Sequence, residues 1–218
     1  MIHENRFISR RGTVRAVAGA LLLAAALSFQ GCATLQDLAG AFMNLQRLKF
    51  KLGGVHDFSV LGISLGAKRS LTDFSAMDAL TLLQGFRSKR LPAEFVLDVL
   101  AVNPNDGTGG SRKTVSTLTG LESRLLIDGT PTVTGNIERP IEIPGTGQET
   151  SIPIRLGIDL FEFFGNKGYE DILGLALAIG GGKGNTSRLS LDAQPRVTTP
   201  FGEITYPGRI TIIDKEFK

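Results

Sequence analysis

Three stretches carry residue types that could do chemistry, and each must meet the spacing its chemistry demands. Gly62-Ile63-Ser64-Leu65-Gly66 matches Gly-x-Ser-x-Gly, in which a serine at a sharp strand-to-helix turn attacks a carbonyl. That reaction needs a base, and in this motif an acid and then a histidine follow the serine. The chain has two histidines, His3 and His56, and both precede Ser64. Without a base the Ser64 hydroxyl is an ordinary alcohol, so the stretch reads as a glycine–serine pair in a strand. The second stretch, GGGKGN at 180–185, invites comparison with a phosphate loop. Walker spacing puts Leu177 where the first glycine should stand and Gly184 where serine or threonine is needed, which rejects it.

The third stretch is Asn103-Pro104-Asn105-Asp106-Gly107. Its oxygens suit calcium, but the EF-hand spacing and terminal glutamate are missing. Zinc would need a cluster of cysteine and histidine, and beyond Cys32 the chain offers only His56. Glu170 and Asp171 sit where the first turn of a helix is expected, and acids are favoured there by the helix dipole. Nothing supports them as a hydrolytic pair. The expectation is therefore no catalytic residue, no metal and no cofactor. Asn103-Pro104-Asn105 reads as a strand end: Pro104 lacks the N–H of a ladder and biases Asn103 toward extended geometry. Asn105, Asp106 and Gly107 then turn the chain.

The single cysteine, Cys32, is the residue on which function is expected to rest. Residues 1–15 carry four arginines against one glutamate, residues 16–29 form an uncharged apolar run, and Gly31-Cys32 follows. A basic start, about fourteen apolar residues and a small residue at the break read as an export signal. The run falls short of the roughly 20 residues of a spanning helix. Cysteine directly behind Gly31 resembles a bacterial lipoprotein signal, in which it becomes the acylated first residue of the mature chain. Phe29 and Gln30 depart from the usual letters of that signal. Ala33 after the cysteine, rather than aspartate, points to the outer membrane facing the periplasm. Ser9-Arg10-Arg11 resembles a twin-arginine signal, but Gly12-Thr13-Val14 lacks its bulky residue, so the general secretory route is expected. The leader holds four of the 24 basic and one of the 21 acidic residues, leaving 20 of each. The mature chain is neutral, and no nucleic-acid partner is expected.

The elements that must position these residues follow from periodicity. Leu35, Leu38, Phe42 and Leu45 recur at helical spacing for less than two heptads, giving a short tether over 32–46 rather than a coiled coil. Residues 47–218 form one domain of short apolar strands. AEFVLDVLAV (93–102) is nearly all apolar, as a strand covered on both faces would be. Asp128-Gly129 marks a two-residue hairpin. Ile152, Ile154, Leu156, Ile158 and Leu160 share one strand face, with Arg155 and Asp159 on the other. Helices are expected at about 73–86, with Ser70 or Thr72 as cap, and at 168–179. The expected class is mainly β: an antiparallel sandwich with one or two accessory helices.

EFVLDVLAVNPNDG, then RLLIDGTPTVTGNI, then IEIPGTGQETSIPIRLGIDL, and the tail TPFGEITYPGRITI occur in the order seen in the late embryogenesis abundant (LEA) type 2 or WHy (water stress and hypersensitive response) family, which the chain resembles over about 47–215. The two helical inserts depart from the shorter plant members. The resemblance implies an immunoglobulin- or fibronectin III-like sandwich without catalytic residues, associated with desiccation and other stress. A membrane-anchored, non-enzymatic envelope protein that binds or stabilises is the first expectation. A carrier or sensor of lipid, with the apolar helix near 168–179 lining a groove, is a second. An envelope assembly subunit held through the 33–48 helix is a third.

Overall fold

The computed structural model describes residues 39–109, 113–182, 186, 188–199, 202–214 and 217, so Gly31 and Cys32 lie outside the described residues. The chain divides into two compact units, Met1–Met43 and Asn44–Lys218; the second holds the fold described below. A helix (α1) covers 39–47. Its Leu45, expected in the tether, is 1% exposed in the core of the second unit.

Ten strands follow: β1 (Lys49–Val60), β2 (Ile63–Ser64), β3 (Pro92–Val102), β4 (Ser116–Ile127), β5 (Thr130–Gly135), β6 (Ile141–Ile143), β7 (Glu149–Asp159), β8 (Leu189–Thr199), β9 (Gly202–Thr205) and β10 (Ile210–Ile212). Between β2 and β3 lie a 3-10 turn, Leu71–Asp73, and helix α2 (Ala76–Arg87); between β7 and β8 lie α3 (Leu160–Phe164) and α4 (Tyr169–Gly180). One sheet has the order β2-β1-β3-β7 and the other β10-β8-β4-β5, with β6 also on β4 and β9 also on β8. Every pairing is antiparallel. This is a β-sandwich with accessory helices. The orders β1-β3-β7 and β10-β8-β4-β5 are those of an immunoglobulin-like sandwich, with β5 as the extra strand of the second sheet.

Alternation explains the layers. In β7, Ile152, Ile154, Leu156 and Ile158 are buried while Ser151, Pro153, Arg155 and Gly157 face water, and Leu160 opens α3 instead of ending the strand. β7 is an edge strand, and Pro153 within it removes one ladder donor. β3 departs from the expected two-sided burial. Ala93, Phe95, Leu97, Val99 and Ala101 are buried, but Glu94 faces water and Asp98 and Leu100 are half-exposed. On that outer face Val96 lies between its cross-strand neighbours His56 and Arg155, and Arg155 pairs with Glu138 of the segment before β6 at 3.5 Å. β1 carries two register shifts, between Leu52 and Val55 and between His56 and Ser59, and Leu52 N–H donates to Ile213 O at 2.9 Å. That bond joins the end of one sheet to the start of the other.

Turn chemistry sets the ends. Asp128 and Gly129 have φ of 50° and 76°, the left-handed pair that a two-residue type I′ hairpin requires. The Arg188 guanidinium grips the Asp128 carboxylate across that turn. Both helical inserts leave and rejoin the sandwich at the end away from Asn103. The 3-10 turn comes first, and α2 starts at Ser75, whose hydroxyl accepts from Asp78 N–H at 3.1 Å. In return Asp78 accepts from Ser75 N–H at 3.1 Å, closing a capping box. Backbone N–H groups hold both nearby carboxyls below their ordinary 3.8: that of Arg69 first for Asp73, that of Ser75 first for Asp78. Lys68 reaches Asp73 O at 2.7 Å and Asp78 Oδ2 at 3.3 Å, tying turn to helix.

In α4, Ile172, Leu173, Leu175, Ala176 and Ile179 are buried. At roughly 1.5–3 kcal/mol for each fully buried leucine or isoleucine, this face outweighs the helix-weakening Gly174 and Gly180. Phe58 stacks on Phe95 with centroids 4.9 Å apart, and Phe86 meets Phe161 and Tyr169 edge-on at 5.4 and 5.5 Å. The apolar helix thus closes one end of the sandwich core.

Two outcomes are expected. A Cβ on Gly180 would sit 2.1 Å from Phe58 Cγ, whereas one on Gly174 meets nothing within 4 Å. Gly180→Ala should therefore lower unfolding free energy by about 1–3 kcal/mol or more, and Gly174→Ala should raise it by about 1 kcal/mol, read by urea titration. Because the Asp78 carboxyl is lowered on folding, its contribution is complete above the unfolded value and is lost as pH falls through the folded one. Asp78→Ala should therefore depress the thermal midpoint near neutrality, and the gap from wild type should close below about pH 3.8. A gap independent of pH would exclude the ionised capping box.

Candidate functional site

Of the residues singled out in the sequence, Asn103, Pro104 and Asn105 are the ones the fold brings to a built site. Asn103 and Asn105 are both 0% exposed, at the end of β3. Asn103 Nδ2 donates to Thr114 O and Ile143 O, each at 2.9 Å. Asn103 Oδ1 accepts from Asn105 N–H at 3.1 Å and from Asn105 Nδ2 at 2.8 Å. Asn105 Nδ2 also donates to Asn44 O at 3.2 Å, Thr114 N–H to Asn105 O at 3.0 Å, and Gly147 N–H to Asn103 O at 3.1 Å. The Asn103 side-chain amide thus joins the β3 end, the loop before β4 and the β6 end, while the Asn103 carbonyl adds the turn before β7 and the Asn105 amide adds α1. Asn105 Oδ1 and Thr114 Oγ1 find no protein partner among the described residues. Asp106 closes the following turn by accepting from Thr108 N–H at 2.9 Å and Thr108 Oγ1 at 2.7 Å; these bonds, led by that of the Thr108 hydroxyl, lower its carboxyl.

Ser64 stands on two-residue β2, opposite Ser59 of β1. That is a strand pairing, not the strand-to-helix turn its motif needs. His56 instead belongs to a row across the outer face of the first sheet. Its Nδ1 lies 3.1 Å from Asp57 Oδ2 and its Nε2 lies 3.4 Å from Asp98 Oδ2. Ser151 Oγ donates to Asp98 Oδ1 at 3.0 Å. In a nucleophilic triad the serine hydroxyl meets the imidazole. Here it meets the carboxylate, and the imidazole takes no proton from it. Among the described residues no group of three histidine, cysteine or acidic side chains could hold a metal ion. Glu170 and Asp171 occupy the first turn of α4, and Lys183, Gly184 and Asn185 of the glycine-rich loop lie outside the described residues.

Sequence reasoning missed a cavity beside the asparagine knot. It has a volume of about 560 Å³, and its lining includes Arg47, Leu48, Lys49, Pro104, Tyr206 and Ile210. No spacing in the chain links residues 47–49 to 206–210; only the meeting of β1 and β10 brings them together. Among the described residues no helix is long and apolar enough to cross a membrane. No protein-family model matches the chain, and no curated protein matches it.

Asn103→Ala would leave Thr114 O, Ile143 O and Asn105 N–H without their partner, each a buried group worth about 1–3 kcal/mol when stranded. The expected loss is therefore about 3 kcal/mol or more by urea unfolding. Gly145→Ala should act on the same knot from the other side, since its Cβ would fall 2.3 Å from Asn105 O and 2.4 Å from Thr114 O. A loss below about 0.5 kcal/mol for Asn103→Ala, the size of an ordinary surface substitution, would show that the knot is dispensable.

Proposed function

We propose that the chain is a non-enzymatic lipoprotein of LEA type 2 kind, anchored through a lipid on Cys32 in the bacterial envelope, at the outer membrane facing the periplasm. In this reading it acts by binding or stabilising under desiccation or osmotic stress. The observation that carries the reading is the placement of the only cysteine directly behind Gly31 and an uncharged run of apolar residues. Each buried methylene contributes about 0.8 kcal/mol, so two or more acyl chains hold a protein stably at a bilayer. The sandwich agrees with the fold that the LEA type 2 resemblance implies, and Asn103-Pro104-Asn105 acts within it as a joint between loops rather than as a reactive group. Polar outer faces, such as the row from His56 to Ser151, suit weak contacts with polar surfaces.

A second reading is a carrier or sensor of lipid or another apolar ligand, for which the apolar helix α4 offers no groove. That helix places Ile172, Leu173, Leu175, Ala176 and Ile179 in the core, so a lipid site must lie elsewhere. The amphipathic cavity beside Arg47 and Lys49 is what keeps this reading in play.

Cys32→Ser should abolish globomycin-sensitive maturation and move the protein from the membrane fraction to unprocessed precursor or soluble material. Mass spectrometry of the mature N-terminus gives the direct check. An unchanged mass and unchanged membrane partition in the variant would overturn the lipoprotein assignment.

A further inference from the structure

We propose that the cavity between the end of α1 and β10 binds the phosphate headgroup of an anionic phospholipid in the membrane that holds the chain. The inference rests on the anchored reading for the source of its ligand, and it names the site that reading lacks. The cavity, about 560 Å³, is lined by buried Leu48 and half-buried Pro104, Tyr206 and Ile210, together with exposed Arg47 and Lys49. That volume lies in the usual range for small-molecule sites, and the mix of a few charges among apolar side chains is their usual composition.

Arg47 and Lys49 are both exposed, and neither forms an ion pair with a described residue. Lys51, two positions along the same strand, is by contrast paired with Glu149 at 3.8 Å. A guanidinium offers phosphate two parallel N–H donors and an ammonium adds a point charge, so the pair suits a phosphodiester. Asp106, on the adjoining loop, is not in the lining, and its Oδ1 accepts from Thr108, which does line the cavity.

Position supplies the occupant. Cys32 stands twelve residues before Asn44, where the second unit begins. At no more than 3.3–3.6 Å per residue, a lipid on Cys32 keeps the start of that unit within about 40 Å of the bilayer surface. Arg47 and Lys49 follow within five residues. They are the first cations of the folded unit after the anchor, so their cavity opens close to where the anchor holds the chain.

The full chain, purified in nonionic detergent and reconstituted into vesicles, tests this by acetylation footprinting read by mass spectrometry. Phosphatidylcholine vesicles are compared with vesicles containing phosphatidylglycerol, and with phosphatidylcholine vesicles plus inorganic phosphate. Lys49 should be protected severalfold by phosphatidylglycerol alone, while Lys89, at the far end of the sandwich, stays unprotected. Arg47→Gln should weaken the protection about tenfold at an unchanged thermal midpoint, the effect of one charge-assisted hydrogen bond. Equal protection by inorganic phosphate would overturn the lipid in favour of a soluble anion. Equal protection of Lys89 would reduce the effect to general adsorption, and no protection of Lys49 would overturn the site. Co-flotation with both vesicle types reads the anchor separately. A chain that does not float refutes the anchored reading, and the site is then read with soluble dihexanoylphosphatidylglycerol against its phosphatidylcholine counterpart, with the same outcomes deciding.

Discussion

A single buried side-chain amide, that of Asn103, governs how the loops at one end of the sandwich are held. Its nitrogen serves two carbonyls from segments 11 and 40 residues away, and its oxygen serves both nitrogens of Asn105. A buried polar group without partners is costly, so the β3 end, the loop before β4 and the β6 end close over this end in the arrangement that satisfies the amide. Pro104 keeps the two asparagines at fixed separation, and Gly145 lets backbone approach where any side chain would collide. The apolar core supplies most of the folding free energy. The Asn103 amide supplies the uniqueness of this end, and the Asn105 amide it holds donates in turn to Asn44 O.

The two ends of the sandwich are thereby given different chemistry. Away from the knot, α3 and α4 bury apolar side chains, and aromatic rings meet face-to-face or edge-on. That end is closed by area and shape. At the knot end the closure is polar, and beside it lies a cavity whose lining includes the cations Arg47 and Lys49. The difference follows from where the chain makes its long excursions. Both helical inserts connect strand ends remote from Asn103, so the Asn103 end of the sandwich is closed by a compact set of short loops.

Local pattern made much of this legible. The alternation from Ile152 to Ile158, the Asp128-Gly129 hairpin and the helical spacing at about 168–179 all depend on neighbours in sequence, and each is found within a residue of where its periodicity places it. The start of α2 shifted because Ser70, whose N–H donates to Asp73, caps the separate 3-10 turn Leu71–Asp73, and the reciprocal pair of Ser75 and Asp78 then caps the helix. β3 misled because continuous apolarity reads the same whether a face is covered by another layer or by side chains from adjacent strands. The partners of Asn103, the row from His56 to Ser151 and the cavity at Arg47 were not legible at all. Each depends on register between strands far apart in the chain, which residue spacing does not encode.

Strand β7 ends one sheet with eleven residues and an unpaired outer edge, which is the kind of surface on which proteins fuse into shared sheets. Pro153 interrupts the donors of that strand, and Glu149 and Arg155 place charge along its solvent side. These features discourage a neighbouring copy from continuing the hydrogen-bond ladder along that edge. Copies of the chain brought side by side are therefore disfavoured from polymerising edge to edge.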